Sequence, residues 1–203
     1  MEKSRLEAFS DGVFAIAITL LALDLTVPMV GQGHLAGALG DEWPRIAAYL
    51  VSFAVIGIIW INHHTIFRMV REVDRLLLVL NLGLLLTVVT LPFSTNLFAT
   101  YLRQGGDNSH IAAAVYSADM LAMAVAFSVI YRALIRDAEV LHEQVDLHAA
   151  RANSWRFSLG LFFYTATVGI SFLSAPATLA VHFAMAVYYL VDQVTGRVQP
   201  SQA

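Results

Sequence analysis

Charge-free apolar windows alternate with short polar segments along the chain, and this pattern predicts long helices that cross a membrane. Such windows cover residues 46–67, 76–102 and 157–191, and 108–131 form another that only Asp119 interrupts. A transmembrane helix needs about 20 predominantly apolar residues. We therefore predict an all-α, polytopic membrane protein that forms one domain over residues 1–203. Its six transmembrane helices are expected at about 6–28, 44–68, 75–101, 109–136, 153–174 and 177–194.

Residues at the ends of these windows favour helix termini there. Pro28 marks the end of the first helix, and the glycine-rich stretch after it, residues 30–40, is predicted to be a loop. Asp74 is predicted to cap the third helix, and Asn108 or Ser109 the fourth.

The composition narrows the class of protein. The chain is 58% hydrophobic and 13% charged, whereas soluble domains carry roughly 25% charged residues. A net charge of −3 is too small to indicate nucleic acid as a partner. Because the chain has no cysteine, disulfides, thiolate chemistry and cysteine-ligated metals are excluded.

Lysine and arginine predict the orientation. With six spans, one side holds both termini and ten basic residues: Lys3, Arg5, Arg68, Arg71, Arg75, Arg132, Arg136, Arg151, Arg156 and Arg197. The other side holds Arg45 and Arg103. Because basic residues concentrate on the cytoplasmic side, both termini are predicted to be cytoplasmic.

The first helix, at about 100° per residue, separates its side chains into two stripes. Bulky aliphatic side chains fall within about 60° of one another: Ile16, Leu20, Leu23 and Val27. Thr19 lies at the edge of this aliphatic stripe. Small residues run beside it: Gly12, Ala15 and Ala22. Small residues let helices approach closely in a bilayer.

Two acids limit the apolar length of this helix. Only 12 uncharged residues separate Asp11 from Asp24, whereas a lipid-facing span needs about 20. The helix is therefore expected to border protein or water, at the centre of a bundle or along a pore. A ring of large aliphatic side chains gates a pore by excluding water, although ordinary helix packing gives the same spacing.

The opening segment RLEAFSDGVFAIAITLL resembles the signature of prokaryotic members of the transmembrane protein 175 family of potassium channels, which lack a re-entrant filter loop. That signature is an arginine, three residues, and then Phe-Ser-Asp. The chain has it as Arg5, Phe9, Ser10 and Asp11. The predicted six-helix layout and cytoplasmic termini are also similar to those of the family.

The resemblance implies a potassium-preferring cation channel of the cell membrane rather than an enzyme. Four copies would surround a central pore lined by the first helix, and conduction would be passive. Ile16, Leu20 and Leu23 match the constricting positions of the family, and Thr19 matches a position implicated in potassium preference. No cofactor, metal or nucleic acid is implied; the partners are other copies of the chain, the bilayer and monovalent cations.

The resemblance also implies that Arg5, Ser10 and Asp11 tie the first helix to its neighbours through hydrogen bonds. Arg5 and Asp11 are about 240° apart around one helix, so they need partners on other helices. Polar groups at membrane depth must be satisfied by protein or water. The candidate partners are Trp60, His63, His64 and Asn81.

Acids and histidines leave an alternative function open. A proton-coupled secondary transporter could use Asp119, Asp24 and the histidines as relays, but no inverted repeat is present to favour it. Asp119 could instead pair inside the bundle, and Asp24 could be either a cation-attracting group at the outer mouth or a solvated helix end.

A membrane enzyme is a third class of function, and the lack of a converging catalytic set argues against it. His63 and His64 point about 100° apart, so one metal cannot easily take both.

Overall fold

The structure is a computed structural model that describes residues 2–137 and 140–195 except 27, 30 and 32; within its last two helices it leaves out the side chains of 149–159 and 192–195. The predictions for Val27 and Arg197 concern residues outside this described part. The described residues form seven helices: α1 (Lys3–Leu23), α2 (Leu35–Asp41), α3 (Trp43–Met69), α4 (Arg75–Tyr101), α5 (Gly106–Arg136), α6 (Leu147–Ser171) and α7 (Ala175–Thr195). The all-α prediction is confirmed for this part of the chain.

Four helices are long and apolar enough to cross a bilayer by length and composition: α1, α3, α4 and α5. The apolar parts of α6 and α7 are shorter among the described residues, at Gly160–Ser171 and Ala175–Val191. The length and composition of these helices are therefore those of a membrane-embedded helical bundle.

The first helix ends earlier than predicted, at Leu23 rather than near residue 28. Asp24 is the C-cap of α1, and Leu25 N donates to Ala22 O in the closing turn. Pro28 keeps the helix from continuing past the residues before it, but the structure ends α1 earlier still.

Part of the segment predicted to be a glycine-rich loop is helical instead. Leu35–Asp41 forms the short helix α2, because leucine and alanine are strong enough helix formers to outweigh its two glycines over this length. The start of α5 also differs from the predicted one: the helix begins at Gly106. The residue before it, Gly105, has a φ of 69°, a backbone conformation that favours glycine. The predicted cap on α4 is confirmed: the Asp74 carboxylate accepts a hydrogen bond from Leu77 N at 2.7 Å.

The helices pack with α1 against α3 and α4, α5 between α4 and α6, and α7 against α3 and α6. The face that α1 turns toward α3 and α4 is fully buried: Leu6, Ser10, Phe14, Ala17 and Leu21. This packing holds one side of α1 on the bundle and leaves its other side uncovered in a single chain.

The amino end of α1 is also tied to two connections between other helices. The α3–α4 turn and the α5–α6 linker meet in one antiparallel bridge between Val70 and Leu141. Arg71 N donates to Val140 O at 2.8 Å, and the Lys3 ammonium donates to Val70 O at 2.8 Å. The amino end of α1 is thus hydrogen-bonded to the α3–α4 turn at the end of the bundle that is predicted to be cytoplasmic.

Candidate pore-lining helix and its polar anchors

The aliphatic stripe of α1 lies beside its buried face, about 110° around the helix, on the side that the rest of the chain leaves exposed. Ile16 is 59% exposed, Leu20 42% and Leu23 76%, whereas Phe14 and Ala17 are buried against α3 and α4. The three residues matched to constricting positions are therefore available to a pore or to another copy of the chain.

Phe9 belongs to this exposed side as well. It lies about 60° from Gly12 around the helix, within the angular range of the aliphatic stripe, and it is 52% exposed. The resemblance placed Phe9 in the signature but gave it no position on the helix surface. The same helical periodicity that identifies Ile16 and Leu20 also assigns Phe9 to their stripe, toward the amino end.

Thr19 is exposed beside the stripe, and its hydroxyl donates to the Ile16 carbonyl at 2.8 Å. A hydroxyl oxygen that has given its proton to the backbone still has lone pairs that accept. This arrangement would turn electron density, rather than a proton, toward a cation passing along the exposed side of α1.

Small residues beside the stripe leave room for a neighbouring helix. Gly12, Ala15 and Ala22 are exposed, and a Cβ added at Gly12 would meet no atom within 4 Å. This strip of α1 is therefore not filled by side chains of the described chain.

A buried chain of hydrogen bonds joins α1 to α3 and α4. His63 Nε2 and Asn81 Oδ1 are 2.8 Å apart, Asn81 Nδ2 donates to Ser10 Oγ at 3.0 Å, and Ser10 Oγ donates to Leu6 O at 2.9 Å. An amide oxygen only accepts and an amide nitrogen only donates, so His63 must carry its proton on Nε2 and Ser10 must donate to the backbone. Every bond therefore has a defined direction.

Aromatic rings enclose His63 in this chain. The Phe67 ring stacks on it with centroids 4.2 Å apart, and the Phe14 ring meets it edge-on at 5.4 Å. His63 is 3% exposed and Asn81 and Ser10 are fully buried. Because buried polar groups without partners are costly, this enclosure makes each hydrogen bond necessary for the position of α1.

The signature acid makes a separate contact nearer the surface. The Trp60 indole Nε1 donates to Asp11 Oδ1 at 2.9 Å, and the Trp60 and His64 rings stack with centroids 6.3 Å apart. Arg5 is exposed, and its side chain has no hydrogen bond or ion pair among the described residues, although its backbone N–H donates to Glu2 O at 3.2 Å. The structure thus brings Ser10 and Asp11 together with Asn81 and Trp60, and it leaves Arg5 facing outward.

The other end of α1 contacts α4 through a second acid. Asn96 Nδ2 donates to Asp24 Oδ1 at 2.5 Å. Beside this pair, an open groove of about 540 Å³ lies between α1 and α4, with Leu20, Leu23 and Phe93 among its lining residues. The sequence gave no signal for Asn96, which lies 72 positions from Asp24.

Asp119 lies in a polar contact of its own between α4 and α5. Its carboxylate accepts hydrogen bonds from Thr90 at 2.8 Å and from Ser94 at 2.7 Å. His182, in contrast, contacts Ser117 at 3.1 Å. The structure therefore gives Asp119 hydroxyl partners rather than a histidine. No group of three or more histidine, aspartate or glutamate side chains in the described part of the chain is placed to hold a metal ion.

Comparison with known proteins gives one consistent result. The family described as endosomal/lysosomal potassium channel TMEM175 matches residues 5–92. A protein of Streptomyces collinus named a potassium channel is 53% identical over 194 residues, which cover 95% of this chain and 94% of that protein. One of Chamaesiphon minutus, also named a potassium channel, is 38% identical over 192 residues, or 93% of each chain.

A solved structure is similar over nearly its whole length. The crystal structure of a lysosomal potassium-selective channel TMEM175 homolog from Chamaesiphon minutus superposes with a TM-score of 0.83 at 36% identity, and the match covers 94% of this chain and 97% of that one. The resemblance seen in the first helix is thereby confirmed. The chain belongs to the TMEM175 family, which is a family of ion channels and not of enzymes.

Proposed function

We propose that this chain is the subunit of a homotetrameric, potassium-preferring cation channel whose central pore is lined by α1. The observation that carries the proposal is the aliphatic stripe of α1, which stays exposed beside a fully buried face of the same helix in a member of a channel family. The relatives named above as potassium channels support the choice of ion.

Six helices of each subunit would span the membrane. At about 1.5 Å per residue, the 25 residues of α6 and the 21 of α7 reach about 38 and 32 Å, which exceeds the roughly 30 Å of a hydrocarbon core. The ten basic residues on one side against two on the other support cytoplasmic termini in the cell membrane.

Conduction would be passive and limited by dehydration. Rings of Ile16, Leu20 and Leu23 would narrow the pore and remove water from a passing ion, since aliphatic side chains offer it no ligand. Thr19 would supply hydroxyl oxygens beside the first ring, because its proton is engaged by the Ile16 carbonyl. The buried chain through His63, Asn81 and Ser10 would hold α1 while ions pass.

Single-channel recording tests this proposal. Purified protein is placed in a planar bilayer with potassium opposite sodium, and wild type is compared with Ile16→Asn. We expect discrete current steps and a reversal potential that favours potassium. In the variant we expect the conductance to rise by about threefold or more, because the amide side chain draws water into the constriction. Threefold corresponds to a barrier lowered by about 0.65 kcal/mol. Light scattering of the solubilised complex gives the number of copies.

Ile111→Asn on α5 is the matched control, because Ile111 is 56% exposed and Ile16 is 59% exposed. We expect its conductance to equal that of wild type. Equal conductance of all three proteins would contradict a constriction at Ile16. A folded complex that shows no steps but takes up ions slowly, saturably and only with a proton gradient would instead favour a transporter that uses Asp119.

A further inference from the structure

We propose that Asp24 concentrates cations at the outer mouth, which we define as the pore end next to Leu23 and Asp24. This inference rests on the proposed function, because it needs four copies of α1 around one pore. Asp24 directly follows Leu23, the outermost aliphatic residue described in the stripe, so a ring of four carboxylates would lie at the entrance to the last constriction.

The position of Asp24 is unfavourable for the helix itself. It is the C-cap of α1, where the helix dipole already carries partial negative charge and where a basic residue would be stabilising. The last turn of α1 has no basic residue. The helix dipole therefore does not explain an acid at this position.

The other acids near this end of the bundle have stabilising partners. The Glu42 carboxylate pairs with Arg45 at 2.8 Å and Asp41 pairs with Arg103 at 3.1 Å. Asp107 lies in the first turn of α5, the end of a helix at which an acid is favourable.

Asp24 differs because its partner is neutral. No salt bridge among the described side chains involves it, and the amide of Asn96 donates to it without cancelling its charge. The carboxylate also borders the open groove beside Leu20 and Leu23. Asn96 thus fixes the position of the Asp24 carboxylate next to the exposed stripe. Arg45 lines a small pocket together with Asp24, but it donates to Thr26 and Glu42 instead.

A fixed charge at a pore entrance raises the local concentration of counter-ions without binding them tightly. Its reach is set by screening, with a Debye length of about 30 Å at 0.01 M salt and about 3 Å at 1 M. Four carboxylates and four helix carboxyl ends would therefore increase the supply of potassium to inward current strongly at low salt and little at high salt.

The test measures inward and outward unitary conductance of the full-length channel in about 10 mM and about 1 M symmetrical KCl. In Asp24→Asn, inward conductance is expected to fall by about threefold or more at low salt and by less than about 1.3-fold at high salt, as screening dictates. The outward conductance should fall less. Asp107→Asn, which removes a charge from the same side of the protein, should leave both unchanged.

A second variant keeps the test decisive if Asp24→Asn folds poorly. Because the chain has no cysteine, Asp24→Cys places one thiol at the mouth. Labelling it with a sulfonate-bearing methanethiosulfonate should restore inward conductance at low salt, and labelling with a trimethylammonium reagent should lower it further.

The possible results separate this inference from the proposed function. Wild-type steps with no change in either Asp24 variant at low salt would overturn the role of Asp24 and leave the channel intact. A loss that is equal at both salt concentrations would also overturn it, because it would indicate a changed pore shape. A wild-type protein that passes no unitary potassium current would contradict the channel and the role of Asp24 together.

Discussion

Two asparagines of α4 hold the two ends of α1, and they do so in different ways. Asn81 is fully buried and uses both ends of its amide, toward His63 and toward Ser10. Asn96 is half-buried and makes one hydrogen bond to a carboxylate beside an open groove. The contact of Asn81 can only fix the position of α1, because its neutral groups satisfy one another's hydrogen bonds. The contact of Asn96 holds a carboxylate beside the groove, where we propose that it attracts cations.

The largest effect is expected from Asn81→Leu. This change removes two hydrogen bonds and leaves His63 Nε2 buried without its partner, while Ser10 keeps its bond to Leu6 O; we expect a cost of about 2 kcal/mol of unfolding free energy. Chemical unfolding of the detergent-solubilised protein, followed by circular dichroism, measures it. A cost no larger than that of the equivalent change at Asn96 would remove the distinction between the two ends of α1.

A smaller effect is expected from Trp60→Phe at the same end. The ring that stacks on His64 remains, but Asp11 loses the indole N–H at 2.9 Å. Because both residues are exposed in the single chain, water can replace part of that bond, and a loss of about 1 kcal/mol is expected. The same unfolding assay applies, with Trp43→Phe on α3 as the control, since Trp43 is also exposed. An equal loss in both variants would show that the Asp11 contact has no specific value.

The smallest effect on stability is expected from Asn96→Leu. The Asp24 carboxylate loses one donor but borders a groove that admits water, so the cost should be below about 0.5 kcal/mol. Unfolding measured beside Asn81→Leu gives the ratio of the two anchors directly. A cost near 2 kcal/mol would mean that the outer contact, too, is chiefly a structural one.

Helical periodicity and charge-free windows predict much of this fold. They identify the apolar helices and place Ile16, Leu20 and Leu23 on one side of α1, because hydropathy and spacing along a helix are local properties of the sequence. The same arithmetic at Phe9 would have extended the exposed stripe by about two turns toward the amino end.

The contacts between helices are harder to predict. Asn81 could be chosen as a candidate because a polar residue at membrane depth needs a partner. Its pairing with both His63 and Ser10 depends on how three helices are rotated about their axes, which spacing within one helix does not determine. Asn96 gave no such signal, since a polar residue near a helix end can be hydrated.

The distances along the chain between these partners have a consequence for biosynthesis. Ser10 and Asn81 are 71 positions apart, so α1 leaves the ribosome well before its buried anchor exists. At about 5 to 20 residues per second, the gap lasts roughly 4 to 14 seconds. The bond from Asn81 to Ser10 can therefore form only after α4 has been made, and until then the Ser10 hydroxyl has its partner within α1, at Leu6 O.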